Sequence, residues 1–248
     1  MSSLSAERPE AFRFKKFVIE HDRCAMKVGT DSIILGSWTK PVDAKYILDI
    51  GSGSGILTLM MAQKALPTAM ITGVELDARA HEQSEQNVRR AGFGQAIKML
   101  NADVKTIYPS KKYDLIISNP PYYKDEIAAD LRRNPISSSR NQARSQACLS
   151  HEELCATASR MLAQDGQFVC ILPTQEIEDF IVKAKSEGLV LEDRVEIHSY
   201  ISAQSIRTLV RFVFASKVLN VSRLVIYDSK GQYTKEYKSL CKDFYLNF

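Results

Sequence analysis

The sequence predicts an α/β fold in which helices cover both faces of a largely parallel sheet. Apolar, strand-like runs alternate along the chain with runs of helical periodicity, and this alternation is typical of repeated strand–helix–strand units. The clearest unit is a short buried strand, Tyr46–Ile50, that runs directly into the glycine-rich turn 51–55 and then into a helical run over 56–65. No repeat or linker interrupts the 248 residues, so we expect one large domain.

The next elements, up to the middle of the chain, follow from local signals. Residues 70–74 and 96–100 predict the second and third strands, because each is a short, largely apolar run. Between them, a polar helix over 77–91 ends at Gly92, a residue type that favours helix C-termini. The apolar run 115–117 predicts the fourth strand.

The second half of the chain continues the alternation. Ser150 and Glu153 form a capping box that predicts a helix ending at Gly166, and the apolar run 168–172, stopped by Pro173, predicts the next strand. The remaining predicted elements are a closing pair of strands at 189–197 and 208–214, a tail strand at 224–227, a turn at 228–231 and a short helix that ends at Phe244.

The turn after the first buried strand has glycines at 51, 53 and 55, and so a G-x-G-x-G spacing. Glycine tolerates positive φ and lets the backbone approach a ligand closely, whereas dinucleotide-binding turns have the spacing G-x-G-x-x-G. Glu75 follows the second strand 24 residues after Gly51, about where an acidic residue binds a ribose diol. Asp103 follows the third strand and could accept a hydrogen bond from an adenine amino group, although a strand-end turn explains it equally well. These features predict a nucleoside-containing ligand.

Asn119, Pro120, Pro121 and Tyr122 follow the fourth predicted strand and form the most informative motif of the chain. Proline has no N–H, so the pair of prolines ends the strand and leaves backbone carbonyls available to a ligand. The Asn119 side-chain oxygen and the Pro120 carbonyl could accept both N–H groups of a planar amine, and the Tyr122 ring could stack on its base. The motif favours an amine-methylating enzyme; the alternative is a proline-rich turn that closes a strand.

Together, these segments resemble the class I S-adenosylmethionine-dependent methyltransferases. More narrowly, the chain resembles the bacterial tRNA(Val) (adenine-37-N6)-methyltransferases, and the segments that carry this resemblance are 24–31, 35–38, 116–123, 223–226 and 244–246. The resemblance implies a Rossmann-like fold with a seven-stranded, mostly parallel sheet whose last strand is antiparallel. We expect a single domain with an N-terminal extension and first helix at 1–45, a core at 46–217 and a C-terminal extension at 218–248.

The resemblance also implies a cofactor, a substrate and the residues that contact them. The implied reaction moves a methyl group from S-adenosylmethionine to N6 of adenine 37 in the anticodon loop of tRNA(Val). The implied cofactor-binding residues are Lys27, Gly29, Thr30, Asp49, Gly51, Gly53, Gly55, Glu75, Asp103 and Asn119. The implied catalytic residues are Asn119, Pro120 and Tyr122, and Pro121 and Tyr123 are expected to bind the substrate.

A basic segment follows the amine-binding motif. Residues 123–149 are polar without a clear period, and the part from 131 to 147 contains four arginines and no acidic residue: Arg132, Arg133, Arg140 and Arg144. Long loops of compact domains are usually functional or disordered, and the net charge of +4 is compatible with a nucleic-acid partner. We expect these arginines to bind tRNA; the alternative is a solvated linker.

Composition argues against several other classes of protein. Five cysteines show no C-x-x-C pair and four histidines lie far apart, so no metal site is expected. No apolar stretch is long enough to cross a membrane, and the polar N-terminus predicts no secretory signal. We therefore expect reduced thiols and a cytoplasmic location, and we expect a monomer.

Other functions remain open at this level. Protein glutamine N5-methyltransferases resemble the chain in the 119–122 motif, but they carry a sizeable helical domain ahead of the glycine motif, whereas about fifty residues precede Gly51 here. Another RNA is an alternative substrate. A non-catalytic module that binds S-adenosylmethionine and RNA is a further alternative, which turnover would distinguish from an enzyme.

Overall fold

The computed structural model describes residues 11–24, 26–120, 149–215 and 218–248. The strands in these ranges are β1 (Ala11–Arg13), β2 (Val18–Glu20), β3 (Tyr46–Ile50), β4 (Met70–Glu75), β5 (Ala96–Asn101), β6 (Tyr113–Ser118), β7 (Leu162–Pro173), β8 (Val190–Tyr200), β9 (Ser205–Val213) and β10 (Asn220–Tyr227). The α-helices are α1 (Thr30–Trp38), α2 (Ile56–Lys64), α3 (Ala78–Ala91), α4 (His151–Met161), α5 (Ile177–Ser186) and α6 (Lys235–Cys241). Within the same ranges, no helix has the length and apolar character of a membrane span.

One eight-stranded sheet carries the helices. Its strand order is β10-β8-β9-β7-β6-β3-β4-β5, and neighbouring strands are parallel except where β9 is one of the pair. β1 and β2 form a separate antiparallel pair. The predicted α/β class, the mostly parallel sheet and its antiparallel strand are therefore confirmed.

The sheet has one strand more than the seven that the resemblance implies. The additional strand is β10, which lies at the edge and pairs in parallel with β8. A strand in this tail is predicted from the sequence, but its pairing is not. By pairing with β8, β10 satisfies backbone groups that would otherwise lie on an open sheet edge.

Side chains of the central strands alternate between two apolar cores. In β6, Leu115 and Ile117 face one core and Ile116 faces the other, and all three are fully buried. Residues of α1, α2, α3 and α6 pack in the first core, and residues of α4 and α5 pack in the second. Because both faces are covered, the inner strands are continuous apolar runs in the sequence.

Helix α4 begins where the sequence predicts but ends earlier. The Ser150 hydroxyl accepts from the Glu153 N–H at 3.1 Å, and the Glu153 carboxylate accepts from the Ser150 N–H at 2.8 Å, so the capping box is confirmed. The prediction that Gly166 ends this helix is wrong, because α4 ends at Met161 and Gly166 lies in β7. The register between β6 and β7 shifts after Tyr113, and a Cβ on Gly166 would lie 2.9 Å from the Tyr113 carbonyl oxygen. The glycine therefore permits close strand packing at an irregularity in the sheet.

Candidate active site

The predicted motifs meet at the carboxyl ends of the central parallel strands. β3, β4 and β5 extend the sheet to one side, whereas β6 and β7 extend it to the other. The order of the strands therefore reverses between β3 and β6, the position at which open α/β sheets bind ligands. Glu75 is the last residue of β4, and Gly51 and Asn119 directly follow β3 and β6. Because Ile50 is paired with residues of both β4 and β6, these three strand ends lie side by side.

The glycine turn is fastened to the neighbouring strand. Gly51, Gly53 and Gly55 have φ values of 70°, 52° and 81°, in a region that residues with a side chain rarely adopt. The N–H groups of Gly51 and Ser52 both donate to the Val74 carbonyl, at 2.9 and 3.0 Å. The turn leads into α2, whose first N–H groups lack partners within the helix. The tight glycine backbone therefore lets a ligand approach closely at this edge of the sheet.

Glu75 joins this turn to the following connection. Its Oε2 accepts from the Gly53 N–H at 2.8 Å, and its Oε1 accepts from the Asp77 N–H at 2.9 Å. A carboxylate has about four acceptor positions, so the two bonds orient the group and leave each oxygen able to accept again. This orientation fits the expected contact with the two hydroxyl groups of a ribose.

Asp49 lies in β3 below the turn and is fully buried. Its Oδ2 accepts from the Thr58 N–H at 2.9 Å and from the Thr58 hydroxyl at 2.6 Å, whereas Oδ1 has no partner among the described residues. Burial raises the pKa of Asp49 to about 7; the bonds from Thr58 oppose this shift, and the charge of Glu75 adds to it. The Ser52 hydroxyl is likewise buried without a partner in that part of the chain. Two unsatisfied polar groups beside the glycine turn fit a polar cofactor such as S-adenosylmethionine.

Replacing Asp49 by asparagine should flatten the pH dependence of folding stability below neutral pH. With a pKa of about 7 in the folded protein and an ordinary value of about 4 in the unfolded chain, Asp49 releases a proton on unfolding between these pH values. Its contribution therefore makes the free energy of unfolding fall as pH rises from about 4 to about 7, by up to about 1.4 kcal/mol per pH unit. Asparagine does not titrate, so the variant lacks this contribution.

Urea unfolding of both proteins from about pH 5 to about pH 8 measures the effect. The two curves of unfolding free energy against pH should converge in slope above pH 7, where Asp49 is ionised in both states. Parallel curves below pH 7 would show that Asp49 does not titrate in that range.

Asp103 lies beyond the end of β5 and has a structural role. Its Oδ1 accepts from the Lys105 N–H at 2.9 Å and so caps the short helical turn Val104–Thr106, and the Lys105 ammonium lies 3.7 Å from its Oδ2. Asn101 donates to the Glu75 carbonyl at 2.9 Å and holds β4 and β5 together at this edge. The turn interpretation of Asp103 therefore has direct support, and its contact with adenine stays a prediction.

Asn119 is only 8% exposed. Its amide nitrogen donates to the Ser32 hydroxyl at 2.9 Å, which joins the end of β6 to the first turn of α1. The strand end is fixed in turn by Ser118, whose hydroxyl donates to the Ile50 carbonyl at 2.9 Å. Pro120, the next residue, is also buried. Because the nitrogen end of the Asn119 carboxamide is bound to Ser32, the oxygen is the end that suits the N–H groups of an amine.

The segment before α1 approaches the same edge. Lys27, Gly29 and Thr30 are exposed, and Gly29 directly precedes α1. The Val28 N–H donates to His21 Nδ1 at 2.9 Å, so the segment is held against the residue that follows β2. The contacts of Lys27, Gly29 and Thr30 with a cofactor stay predictions.

Sequence reasoning misses three residues that support the site: Asn87, Ser32 and Thr58. Asn87 of α3 exchanges two hydrogen bonds with the backbone of β2, at 3.0 and 2.8 Å, and donates to the Ser54 carbonyl at 2.9 Å. It therefore also holds the glycine turn in place. Ser32 has a signal in the sequence, because it directly follows the family-specific segment 24–31.

The remaining predicted site residues lie outside the described part of the chain: Pro121, Tyr122, Tyr123, Arg132, Arg133, Arg140 and Arg144. Among the residues that are described, no group of His, Cys, Asp and Glu side chains is arranged to hold a metal ion. The described site combines a glycine turn, two carboxylates and a buried amide. It offers hydrogen-bond acceptors both to a nucleoside and to an amine.

Comparison with known proteins identifies relatives along nearly the whole chain. The model of the methyltransferase small domain matches residues 24–184. A tRNA1(Val) (adenine(37)-N6)-methyltransferase from Photorhabdus laumondii is 38% identical over 243 residues, which cover 97% of each chain. Proteins of the same name from Phocaeicola vulgatus and Salmonella paratyphi B are 38% and 39% identical and cover 95% and 98% of this chain, with 97% of each relative covered.

Solved structures are similar in fold. The crystal structure of a predicted O-methyltransferase from Agrobacterium tumefaciens has a TM-score of 0.66 at 20% identity, covering 86% of this chain and 96% of that chain. An S-adenosylmethionine-dependent methyltransferase from Aquifex aeolicus has a TM-score of 0.51 at 10% identity, covering 69% of this chain and 82% of that chain. At these identities the similarity shows the fold alone.

Proposed function

The chain belongs to the family of tRNA1(Val) (adenine(37)-N6)-methyltransferases, and from this membership we propose that it methylates N6 of adenine 37 in the anticodon loop of tRNA(Val). The observation that carries the proposal is the buried carboxamide of Asn119, which lies at the strand end next to the glycine turn. An amine held there lies beside a nucleoside cofactor bound at the turn. We also propose that the enzyme is a cytoplasmic monomer with one methyltransferase domain, in which 1–45 and 218–248 extend the core.

S-adenosylmethionine supplies a methyl group that its sulfonium centre activates for transfer. In the proposed complex, Glu75 binds the two ribose hydroxyls, and the glycine turn allows the backbone to approach the cofactor closely. Asp103 is proposed to accept from the adenine amino group. Asp49 lies below the turn, where the positive charge of the cofactor's sulfonium would favour the ionised form of its carboxyl group. Lys27, Gly29 and Thr30 are proposed to complete the cofactor site from the start of α1.

Asn119 and Pro120 are proposed to act on the reacting amine. The lone pair of adenine N6 is delocalised into the ring, so the free amine is a weak nucleophile. The Asn119 oxygen and the Pro120 carbonyl accept its two N–H groups and direct the lone pair towards the methyl carbon. The nitrogen would gain the methyl group as the carbon–sulfur bond breaks and a neutral thioether leaves, and the methylated amine would then pass one proton to Asn119 or to solvent. Positioning in a site that excludes water therefore provides most of the catalysis.

The rest of the amine-binding motif is proposed to hold the base. Adenine 37 must leave its stack, at a cost of a few kcal/mol that is smallest in a loop. Tyr122 offers a ring on which the flipped base stacks, with Pro121 and Tyr123 beside it. An anticodon loop, whose bases are accessible without melting a helix, suits this requirement.

Transfer of labelled methyl groups from S-adenosylmethionine tests the proposed function. The acceptor is total tRNA from cells that lack the modification, digested to nucleosides and analysed by mass spectrometry after the reaction. We expect labelled N6-methyladenosine, located at position 37 of tRNA(Val). A parallel reaction offers total cell protein as the acceptor. Label in glutamine there, with none in tRNA, would identify a protein methyltransferase, and binding of S-adenosylmethionine without turnover on either acceptor would identify a non-catalytic module.

Replacing the four arginines of the segment after the motif should weaken tRNA binding without affecting cofactor binding. The variant carries alanine at Arg132, Arg133, Arg140 and Arg144. Each lost phosphate contact should lower the slope of log affinity against log salt by about one unit, because fewer counterions are released. Titration of labelled tRNA at several salt concentrations measures the slope.

A double alanine variant of Lys111 and Lys112 is the control for this prediction. These exposed lysines precede β6, at the opposite end of the sheet from Asn119. Their replacement should therefore change the slope of log affinity against log salt little. If the four-arginine variant kept the wild-type slope, the segment would be a linker and the RNA would bind elsewhere.

A further inference from the structure

The turn between β8 and β9 carries exposed apolar side chains at the end of the sheet where the site lies. β8 ends at Tyr200 and β9 begins at Ser205. Ile201 is 67% exposed, Tyr200 is 45% exposed and Ile206 is 41% exposed. Single apolar side chains on a surface are common, but three of them on one turn form a patch of the kind that binds a partner.

The register of the sheet places this turn beside the amine-binding residue. β6 ends at Ser118, which pairs with Cys170, whereas β7 continues to Pro173, which pairs with Arg207. β7 and β9 therefore project beyond the end of β6, and the turn lies at the tip of this projection. Neighbouring strands are about 4.8 Å apart, so β9 lies about 10 Å from the strand that ends before Asn119. Nucleotides next to an adenine held by Asn119 would reach the turn.

Hydrogen bonds fix the shape of the turn. The Ala203 N–H donates to the Tyr200 carbonyl at 3.0 Å, and the Ala203 carbonyl lies 2.8 Å from His198 Nδ1. The Ser205 hydroxyl donates to the Arg207 carbonyl at 2.9 Å. The exposed side chains are therefore presented by an ordered backbone, so contact with a partner costs little conformational entropy.

We propose that this turn contacts bases of the anticodon loop next to the target adenine. The inference rests on the proposed function, because it takes tRNA as the substrate. Unpaired bases are recognised by stacking on aromatic rings and by contact with apolar side chains. Tyr200 offers a ring to such bases, and Ile201 and Ile206 offer apolar surface.

The charge around the turn favours RNA as the partner. The sequence contains no Asp or Glu between Ile197 and Tyr227, whereas this range contains three arginines. The carboxylate of Asp31, at the start of α1, accepts from Arg207 Nε at 2.8 Å. The phosphates of an RNA that approaches the turn would therefore meet little repulsion from the turn and the strands around it.

RNA binding by a double variant, Ile201→Ala with Ile206→Ala, tests the inference. The labelled anticodon stem-loop of tRNA(Val) is titrated at several salt concentrations. The variant should bind about tenfold more weakly, because contacts with one or two bases are lost. The slope of log affinity against log salt should not change, because no phosphate contact is removed. At saturating RNA, the single-turnover rate should stay within about twofold of the wild type, because the turn does not touch the reacting amine.

The matched control is Val190→Ala with Val221→Ala, since both valines are exposed and lie at the other end of the sheet. This variant should bind the stem-loop as the wild type does. A fully paired RNA of the same length lacks the loop, and the wild type and the isoleucine variant should bind it equally. Equal affinity of these two proteins for the stem-loop would overturn the inference and leave the patch to a protein partner. Equal losses on the stem-loop and the duplex would overturn it as well, because they would exclude contact with loop bases.

Tyr200 gives an independent readout. Tyr200→Ala should weaken binding of the stem-loop, whereas Tyr200→Phe should restore it, because the ring is retained. The Tyr200 ring also packs on Tyr227, with 5.6 Å between the ring centroids, so thermal unfolding checks the fold of each variant. Equal losses in Tyr200→Phe and Tyr200→Ala would contradict stacking. Stem-loop affinity reports on the turn without turnover, whereas a wild-type product other than N6-methyladenosine would overturn the proposed function.

Discussion

Replacing Glu75 by alanine is expected to weaken S-adenosylmethionine binding by about a hundredfold or more. In the proposed complex its carboxylate accepts from two ribose hydroxyls, and charge-assisted hydrogen bonds contribute roughly 1.5–3 kcal/mol each. The same carboxylate accepts from the Gly53 N–H at 2.8 Å, so its loss also leaves the glycine turn less ordered. Both effects act on cofactor affinity, and tRNA affinity should change little.

Calorimetric titration with S-adenosylmethionine and with its demethylated product measures this loss. Glu75→Gln separates the two effects, because its amide oxygen still accepts from Gly53 while the negative charge is absent. We expect Glu75→Gln to bind with intermediate affinity. Glu85→Ala is the control, since this glutamate lies on α3 and pairs with Arg89 at 3.0 Å on the surface. Wild-type affinity in a correctly folded Glu75→Ala variant would place the cofactor elsewhere.

Local signals in the sequence predict the elements that form the site. β3 is Tyr46–Ile50 as expected, and α3 ends at Ala91 with Gly92 as its C-cap, whose φ is 64°. Each of these features depends on residues within a few positions of one another, so the linear sequence contains the whole signal. The proximity of Glu75 and Asn119 also follows, because parallel strands present their carboxyl ends at one edge of the sheet.

Some features of the site cannot be predicted from the sequence, because they depend on contacts between residues that are far apart in the chain. Ser32 and Asn119 are 87 residues apart, and Asp31 and Arg207 are 176 residues apart. Neither pair produces a periodic pattern, because each depends on how α1 packs on the sheet. Gly166 is ambiguous for a related reason: the end of a helix and a tight position in a strand both favour a residue without a Cβ.

The position of β10 in the sheet is a further feature that the sequence alone does not predict. Its apolar residues predict a strand, but they carry no information about which edge of the sheet accepts it. β8 lies between β9 and β10 in the sheet, so the pairing of β10 with β8 depends on where the chain leads after β9. Sequence periodicity therefore predicts the presence of this strand, and the packed sheet determines its neighbour.

Replacing Asn119 by alanine is expected to lower kcat by about a hundred- to a thousandfold while tRNA binding stays close to the wild type. In the proposed complex, the Asn119 oxygen contacts the reacting amine, whereas the rest of the anticodon stem-loop binds through other residues. Loss of one preorganised polar contact at a reacting centre has an effect of about this size in other enzymes. The loss should appear equally in kcat and in kcat/KM, because the contact matters most in the transition state.

Single-turnover methylation of tRNA(Val), with tRNA affinity measured on the same preparations, tests this expectation. Asn220→Ala is the matched control, because Asn220 is an exposed asparagine at the start of β10 and lies away from the carboxyl end of the sheet. Thermal unfolding of each variant shows whether the fold is retained. A tRNA affinity that falls as much as the rate would make Asn119 a binding residue for the base. A near wild-type rate in folded Asn119→Ala would refute the proposal that this carboxamide directs the amine.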